Sequence, residues 1–228
     1  MKGLLITVLV LLGLLVAADR VAVVVAEDQV AAQVAQQGGL AGEPDVDITG
    51  FPFLTQAVAG RYDDVRISLT ADELGQPAGT GADVSLRGVQ LPLSDVLGGR
   101  VQQLPVERVD GQASVPLDLL AAQLGGDTTL TREGDGLRIT KTVEVLGQTV
   151  PLTATGTVTL DGQDLVVDVS SAAGAGIDVP DVVVEQAQDL LDFRYALPAL
   201  PFGLQVTGLQ VTDGGVDVTV AATDVVLQ

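Results

Sequence analysis

The sequence contains no cysteine, no histidine and no tryptophan among its 228 residues. The absence of cysteine excludes disulfide bonds and thiol nucleophiles, so stability has to come from burial and hydrogen bonding. The absence of histidine excludes Ser-His-Asp triads, and both absences together exclude zinc sites built on His or Cys. Lysine occurs only at Lys2 and Lys141. Chemistry would therefore fall to carboxylates, hydroxyls and a few basic side chains.

Positive charge is also scarce, with 11 basic against 30 acidic residues and a formal net charge of −19. A surface of this sign repels nucleic-acid phosphates and is not attracted to anionic lipid. The composition therefore predicts no nucleic-acid partner. Any contact with a membrane has to come through an anchor or an apolar surface.

One long apolar run begins directly after Lys2 and covers Gly3–Ala18, and Asp19 and Arg20 follow it. A positive residue in front of an apolar run is typical of an export signal or a membrane anchor. A buried core helix is the third interpretation, and the position of Lys2 argues against it.

Cleavage and retention of this segment both stay open. Val16-Ala17-Ala18 offers the small residues that a signal peptidase prefers. Apolar residues resume in Val21–Ala26, however, and the run counted to Ala26 can span a bilayer if Asp19 and Arg20 reach its interface. We therefore expect residues 1–26 to be a signal peptide or membrane anchor and residues 27–228 to form a single domain.

Residues 20–37 predict a helix that continues from the leader and ends at Gly38-Gly39. An apolar stripe with helical spacing favours packing of its second half; its members are Val23, Ala26, Val30, Ala31 and Val34. Glu27 is expected to lie off this stripe.

From Pro44 onward apolar and polar residues alternate with a period of two, which indicates half-buried antiparallel strands. The alternating segments are Val46–Ile48, Val65–Leu69, Val84–Leu86, Leu137–Ile139, Val143–Val145, Val150–Leu152, Val158–Leu160, Leu165–Val169, Leu204–Val206, Leu209–Val211 and Val216–Val220. Asp-Gly pairs predict hairpin turns at Asp110-Gly111, Asp135-Gly136, Asp161-Gly162 and Asp213-Gly214. Short helices are expected at Pro116–Leu124 and at Pro180–Asp192, where Val182–Val184 keeps a strand open as the alternative.

The fold class is therefore α+β, with a large and mostly antiparallel sheet, a few short helices and one long N-terminal helix. A sheet with so many strands has to twist and curl. A curled sheet encloses something, and a helix, side chains or a ligand could occupy that space.

No catalytic motif stands out. The adjacent acids Asp63-Asp64 and Asp72-Glu73 are expected to point to opposite faces of a strand, so that they could not share a proton or a metal. No serine occupies a Gly-x-Ser-x-Gly elbow. The sequence predicts neither an enzyme nor a metal or cofactor site.

Two clusters combine proline with phenylalanine. The first is Phe51, Pro52, Phe53 and Leu54, followed by Arg61 and Tyr62, and the second contains Leu197, Leu200, Phe202 and Leu204. One interpretation is that both close the ends of the sheet as core side chains or turns. The other is that they line or gate an apolar pocket.

These clusters carry a family resemblance. The segment Ile48–Leu69, and Gly50-Phe51-Pro52-Phe53-Leu54 most specifically, resembles the signature of the actinobacterial LmeA-like proteins, and Leu200–Val220 is similar to their C-terminal segment. The resemblance implies a non-catalytic, phospholipid-binding protein of the periplasm or cell envelope that supports envelope lipid and lipoglycan assembly. It also implies a curved sheet wrapped around a long helix, as in tubular lipid-binding domains, so that residues 27–228 would form a single lipid-binding-like domain. It does not identify a protein partner. The chain would then be exported, and either released or anchored in the cytoplasmic membrane.

The physics of lipid transfer fits such a chain. About 30 methylenes of a two-chain lipid, at about 0.8 kcal/mol each, cost at most about 24 kcal/mol in water, so a carrier needs a long apolar groove. Arg61 and Tyr62 are candidates for contact with a phosphate head group, and a solvated turn is the alternative for Arg61.

Two competing functions stay open at this point. One is a structural or protein-interaction envelope protein with a solid core. The other is a hydrolase or transferase with two acids about 5–10 Å apart in one cleft.

Overall fold

The computed structural model describes residues 2–92, 103–123, 128–145, 148–161, 164–174, 193–196 and 203–227. The helices in this part of the chain are α1 (Lys2–Gly38), α2 (Phe53–Ala59), α3 (Ala71–Leu74) and α4 (Leu117–Gln123). The strands are β1 (Asp45–Thr49), β2 (Arg61–Leu69), β3 (Gly81–Gln90), β4 (Leu104–Pro116), β5 (Thr128–Glu133), β6 (Gly136–Val145), β7 (Gln148–Asp161), β8 (Asp164–Gly174), β9 (Phe193–Ala196), β10 (Gln205–Val211) and β11 (Gly215–Leu227).

The strands form two sheets. Six strands follow the order β1-β2-β3-β4-β11-β10, and five follow the order β5-β6-β7-β8-β9. The second sheet is an antiparallel meander, in which each strand pairs with its neighbour in sequence. The predicted α+β class, with a large antiparallel sheet and a long N-terminal helix, is confirmed. The strands divide between two sheets rather than one, as large twisted sheets often do.

Most of the predicted turns join neighbouring strands. Asp135-Gly136 lies at the hairpin of β5 and β6, and Asp213-Gly214 lies between β10 and β11. Strands β7 and β8 pair up to Asp161 opposite Asp164, while Gly162 is outside the described residues. The turn predicted at Asp110-Gly111 is wrong, because both residues lie inside β4. The strand continues through this pair because β4 lies between β3 and β11 in the sheet, and the preceding residue Val109 is buried.

The helix predictions are confirmed where the structure describes them. Helix α1 includes residues 20–37 and ends at Gly38, after which Gly39 has a φ of 62°. The helix predicted at Pro116–Leu124 is α4, although Pro116 ends β4 instead of opening the helix. The segment Pro180–Asp192 lies outside the described residues.

The chain contains two compact units. Unit 1 comprises Met1–Gln76, Ala82–Gly111 and Ala221–Gln228, and unit 2 comprises Pro77–Gly81 and Gln112–Val220. The boundary between them falls inside β4 and inside β11. The single domain over residues 27–228 stays a prediction.

Each unit has its own apolar core, built from the inward side of its strands. In unit 1 the buried residues come from strands β1 to β4 and from the second half of α1. Those from the strands include Val46, Ile48, Val65, Leu86, Val89, Val106 and Val109. In unit 2 α4 packs against the sheets through a cluster that contains Leu117, Ala121, Leu130, Leu137, Val211 and Val216.

Candidate functional site

Helix α1 changes character at Asp19. Residues 2–18 are exposed along their whole length, whereas Asp19, Val23 and Ala31 are buried and Glu27 is half-buried. Four residues advance an α-helix by about 40° beyond one full turn, so these positions form one stripe along the helix. The prediction that Glu27 lies off the packing stripe is therefore wrong, since it lies about 40° from Val23.

Asp19 connects α1 to the beginning of α2. Its side chain has no exposed surface, and its Oδ1 accepts the backbone N–H of Leu54 at 2.8 Å. Its Oδ2 accepts a hydrogen bond from Arg20 Nη2 at 2.6 Å. Pro52 precedes α2 and provides no side-chain cap. Asp19 thus accepts a hydrogen bond from an N–H in the first turn of α2 that has no partner within that helix. It also places a negative charge at the positive end of the α2 dipole.

Glu27 makes the corresponding contact two helical turns later. Its Oε1 accepts the backbone N–H of Ile48, in β1, at 2.9 Å. The two acids therefore bind consecutive elements of unit 1 to the same side of α1. Sequence reasoning missed this role for both residues, although their separation by eight residues, with Val23 midway, is a signal that could have revealed it.

Gln56 holds α2 between its flanking strands. Its Nε2 donates to the Thr49 carbonyl at 3.1 Å, and its Oε1 accepts the Asp63 N–H at 2.9 Å. Gly50 has a φ of 105°, and a Cβ at this position would lie 2.4 Å from Gln56 Nε2. A side chain at Gly50 would consequently displace Gln56 from these contacts as well as strain the backbone.

Gly60 ends α2 in the left-handed conformation, with a φ of 67°. Its N–H donates to the Ala57 carbonyl at 3.2 Å, and a Cβ there would lie 2.9 Å from the Cα of Pro92. Glycine is the residue that combines this conformation with this close approach. The chain can then enter β2 directly at Arg61.

Two of the predicted site residues come together in the core. Phe53 and Tyr62 are 5% and 8% exposed, and their ring centroids lie 6.0 Å apart with the planes tilted by 38°. Burial raises the pKa of the Tyr62 hydroxyl. These two aromatic residues thus pack against each other as core side chains. Pro52 is half-buried and lies directly before α2.

Two other predicted residues are exposed, one just before α2 and one in its first turn. Phe51 is 65% exposed and Leu54 is 37% exposed. The guanidinium carbon of Arg20 lies 5.3 Å from the centroid of the Phe51 ring, a cation–π distance. Val58, which the sequence analysis did not single out, is 79% exposed.

Arg61 faces solvent and pairs with an acid. Its Nη2 lies 2.9 Å from Glu107 Oε1, and the side chains of the two residues are 53% and 47% exposed. An exposed pair of this kind contributes little to stability. The guanidinium keeps further N–H donors, because one such contact uses only part of its five.

The second predicted cluster is described only in part. Leu197, Leu200 and Phe202 lie outside the described residues, and Leu204 is half-buried directly before β10 in unit 2.

The adjacent acids have structural partners. Asp64 accepts hydrogen bonds from Arg66 at 2.8 Å and from Ser85 at 2.6 Å. Asp72 and Glu73 lie in α3 and not on a strand, which corrects the prediction for that pair. Glu73 accepts the N–H and hydroxyl of Thr70 in a capping box, and these hydrogen bonds lower the pKa of its carboxyl. Within the described part of the chain, no three or more aspartate or glutamate side chains lie close enough together to hold a metal ion.

One described helix, α1, is long and apolar enough to cross a membrane, judged by length and composition. Its exposed part coincides with the uncharged run that the sequence analysis identified. The apolar N-terminal helix is therefore compatible with a signal or an anchor.

Comparison with known proteins gives one positive result. No curated protein and no solved structure matches the chain. The family of LmeA-like phospholipid-binding proteins matches residues 17–221. The matched range begins two residues before Asp19 and includes α2 with its flanking strands, in agreement with the resemblance seen in the sequence. The chain therefore belongs to the LmeA-like phospholipid-binding family.

Proposed function

We propose that this protein is a non-catalytic phospholipid-binding protein of the cell envelope, which supports envelope lipid and lipoglycan assembly. The observation that carries the proposal is the family match over residues 17–221. The predominance of antiparallel sheet supports it, because such sheets offer one apolar side on which acyl chains could lie.

We further propose that α1 is retained and anchors the protein in the cytoplasmic membrane. The helix continues without interruption from the exposed apolar run into the segment that docks on unit 1. Asp19 and Glu27 hold that segment by bonds to Leu54 and Ile48. The apolar run would then enter the bilayer directly where the folded unit ends.

For lipid contact we propose the residues of the two aromatic clusters. Phe51 and Leu54 offer exposed apolar surface, and the buried Phe53 and Tyr62 support them from behind. Pro52 directly precedes the helix that carries Phe53 and Leu54, and Arg61 offers a half-exposed guanidinium to a phosphate. The sequence adds the second cluster to this proposed set: Leu197, Leu200, Phe202 and Leu204.

Two carboxylates are poor candidates for a general acid. Asp110 and Glu133 are held by Arg108 and Arg138, and the hydrogen bonds from these guanidinium groups lower the pKa of each carboxyl. A general acid at neutral pH needs a raised pKa, because it has to retain its proton until the transition state. These carboxylates therefore suit ion pairing better than proton transfer.

Native mass spectrometry of the full-length chain, purified in mild detergent from lipid-containing cells, tests the function. We expect a complex with stoichiometric phospholipid, which extraction and fragmentation would identify. A bare polypeptide mass that stays unchanged after incubation with phospholipid vesicles would contradict the proposal.

The same measurement tests Arg61. We expect Arg61→Glu to lower the share of anionic lipid in the complex more than the share of neutral lipid, because it places a negative charge beside the phosphate. Arg66→Glu is the matched control, since Arg66 lies on the same strand and is also exposed and paired with an acid. An equal loss of both lipid classes, or an equal effect of both variants, would remove the head-group role.

A further inference from the structure

Helix α2 has two apolar sides. Phe53 and Ala57 face the core and are buried, whereas Phe51, Leu54 and Val58 are 65%, 37% and 79% exposed. We call these three exposed residues the outer side of α2, although Phe51 lies two residues before the helix begins. Large apolar side chains that cluster on a short helix and face water usually mark a contact surface.

The position of the outer side relative to α1 is fixed by two contacts. The Leu54 N–H lies 2.8 Å from Asp19 Oδ1, and Asp19 is the first residue after the run Gly3–Ala18. The Phe51 ring lies 5.3 Å from the guanidinium carbon of Arg20, the next residue. The outer side of α2 therefore lies beside the point on α1 where the uncharged run ends.

The apolar surface of α1 itself continues past this level. Val21, Val24 and Val25 are 65%, 53% and 51% exposed. At 1.5 Å per residue the run Gly3–Ala18 is about 24 Å long, which is shorter than the hydrocarbon core of about 30 Å. The difference of about 6 Å corresponds to about four helical residues, so burial of α1 to about Ala22 would make it up while the Arg20 guanidinium reaches outward to the head groups. It would bring the neighbouring α2 to the membrane surface.

We propose that the outer side of α2 inserts into the interface of the bilayer that α1 enters. This inference rests on the proposed anchoring of α1. Phe51, Leu54 and Val58 lie among the head groups and the first methylenes, and the Arg20 guanidinium, which is half-exposed, faces lipid phosphate. The Asp19 contact holds α1 and the outer side of α2 at one depth, so that unit 1 rests on the membrane surface.

The outer side of α2 contacts a bilayer and not a protein partner, because the apolar run of α1 enters the bilayer directly beside it. Any protein on this surface would have to share it with the lipid that surrounds the helix directly beside Asp19. The formal net charge of −19 disfavours electrostatic binding to anionic lipid. Attachment of this surface to a membrane therefore depends on apolar contact.

Site-directed fluorescence in the full-length protein tests this proposal. The chain contains no cysteine, so Val58→Cys can be labelled at a single position with an environment-sensitive dye. The protein is reconstituted into phosphatidylcholine vesicles. We expect a blue-shifted emission that is quenched by lipids carrying a nitroxide near the head group and is protected from iodide in the water.

Asp72→Cys is the matched control. Asp72 is exposed in α3, whose Glu73 carbonyl accepts the Ala41 N–H at 2.8 Å just beyond the end of α1. The nineteen helical steps from Asp19 to Gly38 correspond to about 28 Å, a distance that keeps α3 away from the head groups if α1 stands upright. We expect the dye there to be accessible to iodide and unaffected by the nitroxide lipids.

The outcomes separate this proposal from the function. A dye at position 58 that is as accessible to iodide as the dye at position 72 would overturn the membrane contact, even where mass spectrometry finds bound phospholipid. Protection from iodide without quenching by nitroxide lipids would indicate a protein partner and would also overturn it. A mature chain that begins after Ala18 would overturn the anchoring on which it rests.

Discussion

At the scale of single residues, Asp19 is notable as a fully buried carboxylate. It follows an apolar run and has no exposed surface, yet its carboxylate accepts bonds from Leu54 and Arg20. A buried carboxylate is stable only when its oxygens are paired in this way. Its partner on α2 lies 35 positions away in the sequence, so Asp19 joins two segments that the local pattern does not connect.

We expect Asp19→Ala to lower the thermal unfolding temperature of the protein in detergent, because it leaves the N-terminus of α2 uncapped. Asp19→Asn should have a smaller effect, since the amide oxygen can still accept the Leu54 N–H. Circular dichroism on heating provides the measurement. Phe53→Ala sets the scale, as loss of a buried phenylalanine ring costs about 3–5 kcal/mol.

Asp28→Ala is the control for Asp19. Asp28 is an exposed acid on the same helix and should leave the unfolding temperature unchanged. If Asp19→Ala also has no effect, the bond to Leu54 does not stabilise the fold.

At the scale of elements, α1 serves two purposes along one continuous helix. Its first part exposes only apolar and small residues after Lys2, and its second part packs through a stripe that combines acids with valine and alanine. The change in exposure occurs at Asp19, directly after Ala18, which is one of the two ends that the sequence left open for the leader. The division at residue 26 stays a prediction. A helix can combine these parts because its backbone hydrogen bonds are satisfied internally in either environment.

Two truncated chains test where the folded part begins. We expect residues 19–228 to fold as stably as the full-length protein, and residues 28–228 to be less stable. The shorter chain lacks Asp19, Val23 and Glu27, and burial of a valine side chain alone contributes about 2 kcal/mol. Urea unfolding followed by circular dichroism measures the difference.

Equal midpoints for the two truncated chains would contradict this expectation. They would show that residues 19–27 are not needed for folding, in agreement with a leader of residues 1–26. The slope of each transition serves as a control, because it reports whether both chains unfold cooperatively.

At the scale of the whole molecule, charge opposes attachment to anionic membranes. The chain carries 30 acidic and 11 basic residues. Electrostatic repulsion of this kind acts over about one Debye length, about 10 Å at 0.1 M salt. An anchor helix and an apolar contact can overcome it, because neither depends on surface charge.

We therefore expect salt to strengthen the association of residues 19–228 with phosphatidylglycerol vesicles, measured by flotation. Salt screens the repulsion but leaves the apolar contact in place. Phosphatidylcholine vesicles are the control and should show little dependence on salt. Weaker binding at high salt would mean that a local basic site governs attachment.

Local patterns in the sequence were sufficient for much of the fold. The period-two alternation located eight of the eleven described strands and missed β4, β5 and β9. Gly38-Gly39 marked the end of α1, because termination of a helix, like burial on one face, depends on neighbouring residues. The same local approach failed at Asp110-Gly111, because both residues lie inside β4, a strand that pairs with β3 on one side and β11 on the other. A turn signal indicates what the backbone can do, and tertiary packing decides whether it does so.

The sequence by itself determined the α+β class, the long apolar helix, the acidic surface and the family resemblance, since each depends on composition or on short-range order. Only the tertiary structure decided that Phe53 and Tyr62 pack inside while Phe51 and Leu54 face outward. It also decided that Asp19 caps α2. These features depend on which distant segments meet, and the free energy of such contacts arises from burial and pairing that exist only once the chain has folded.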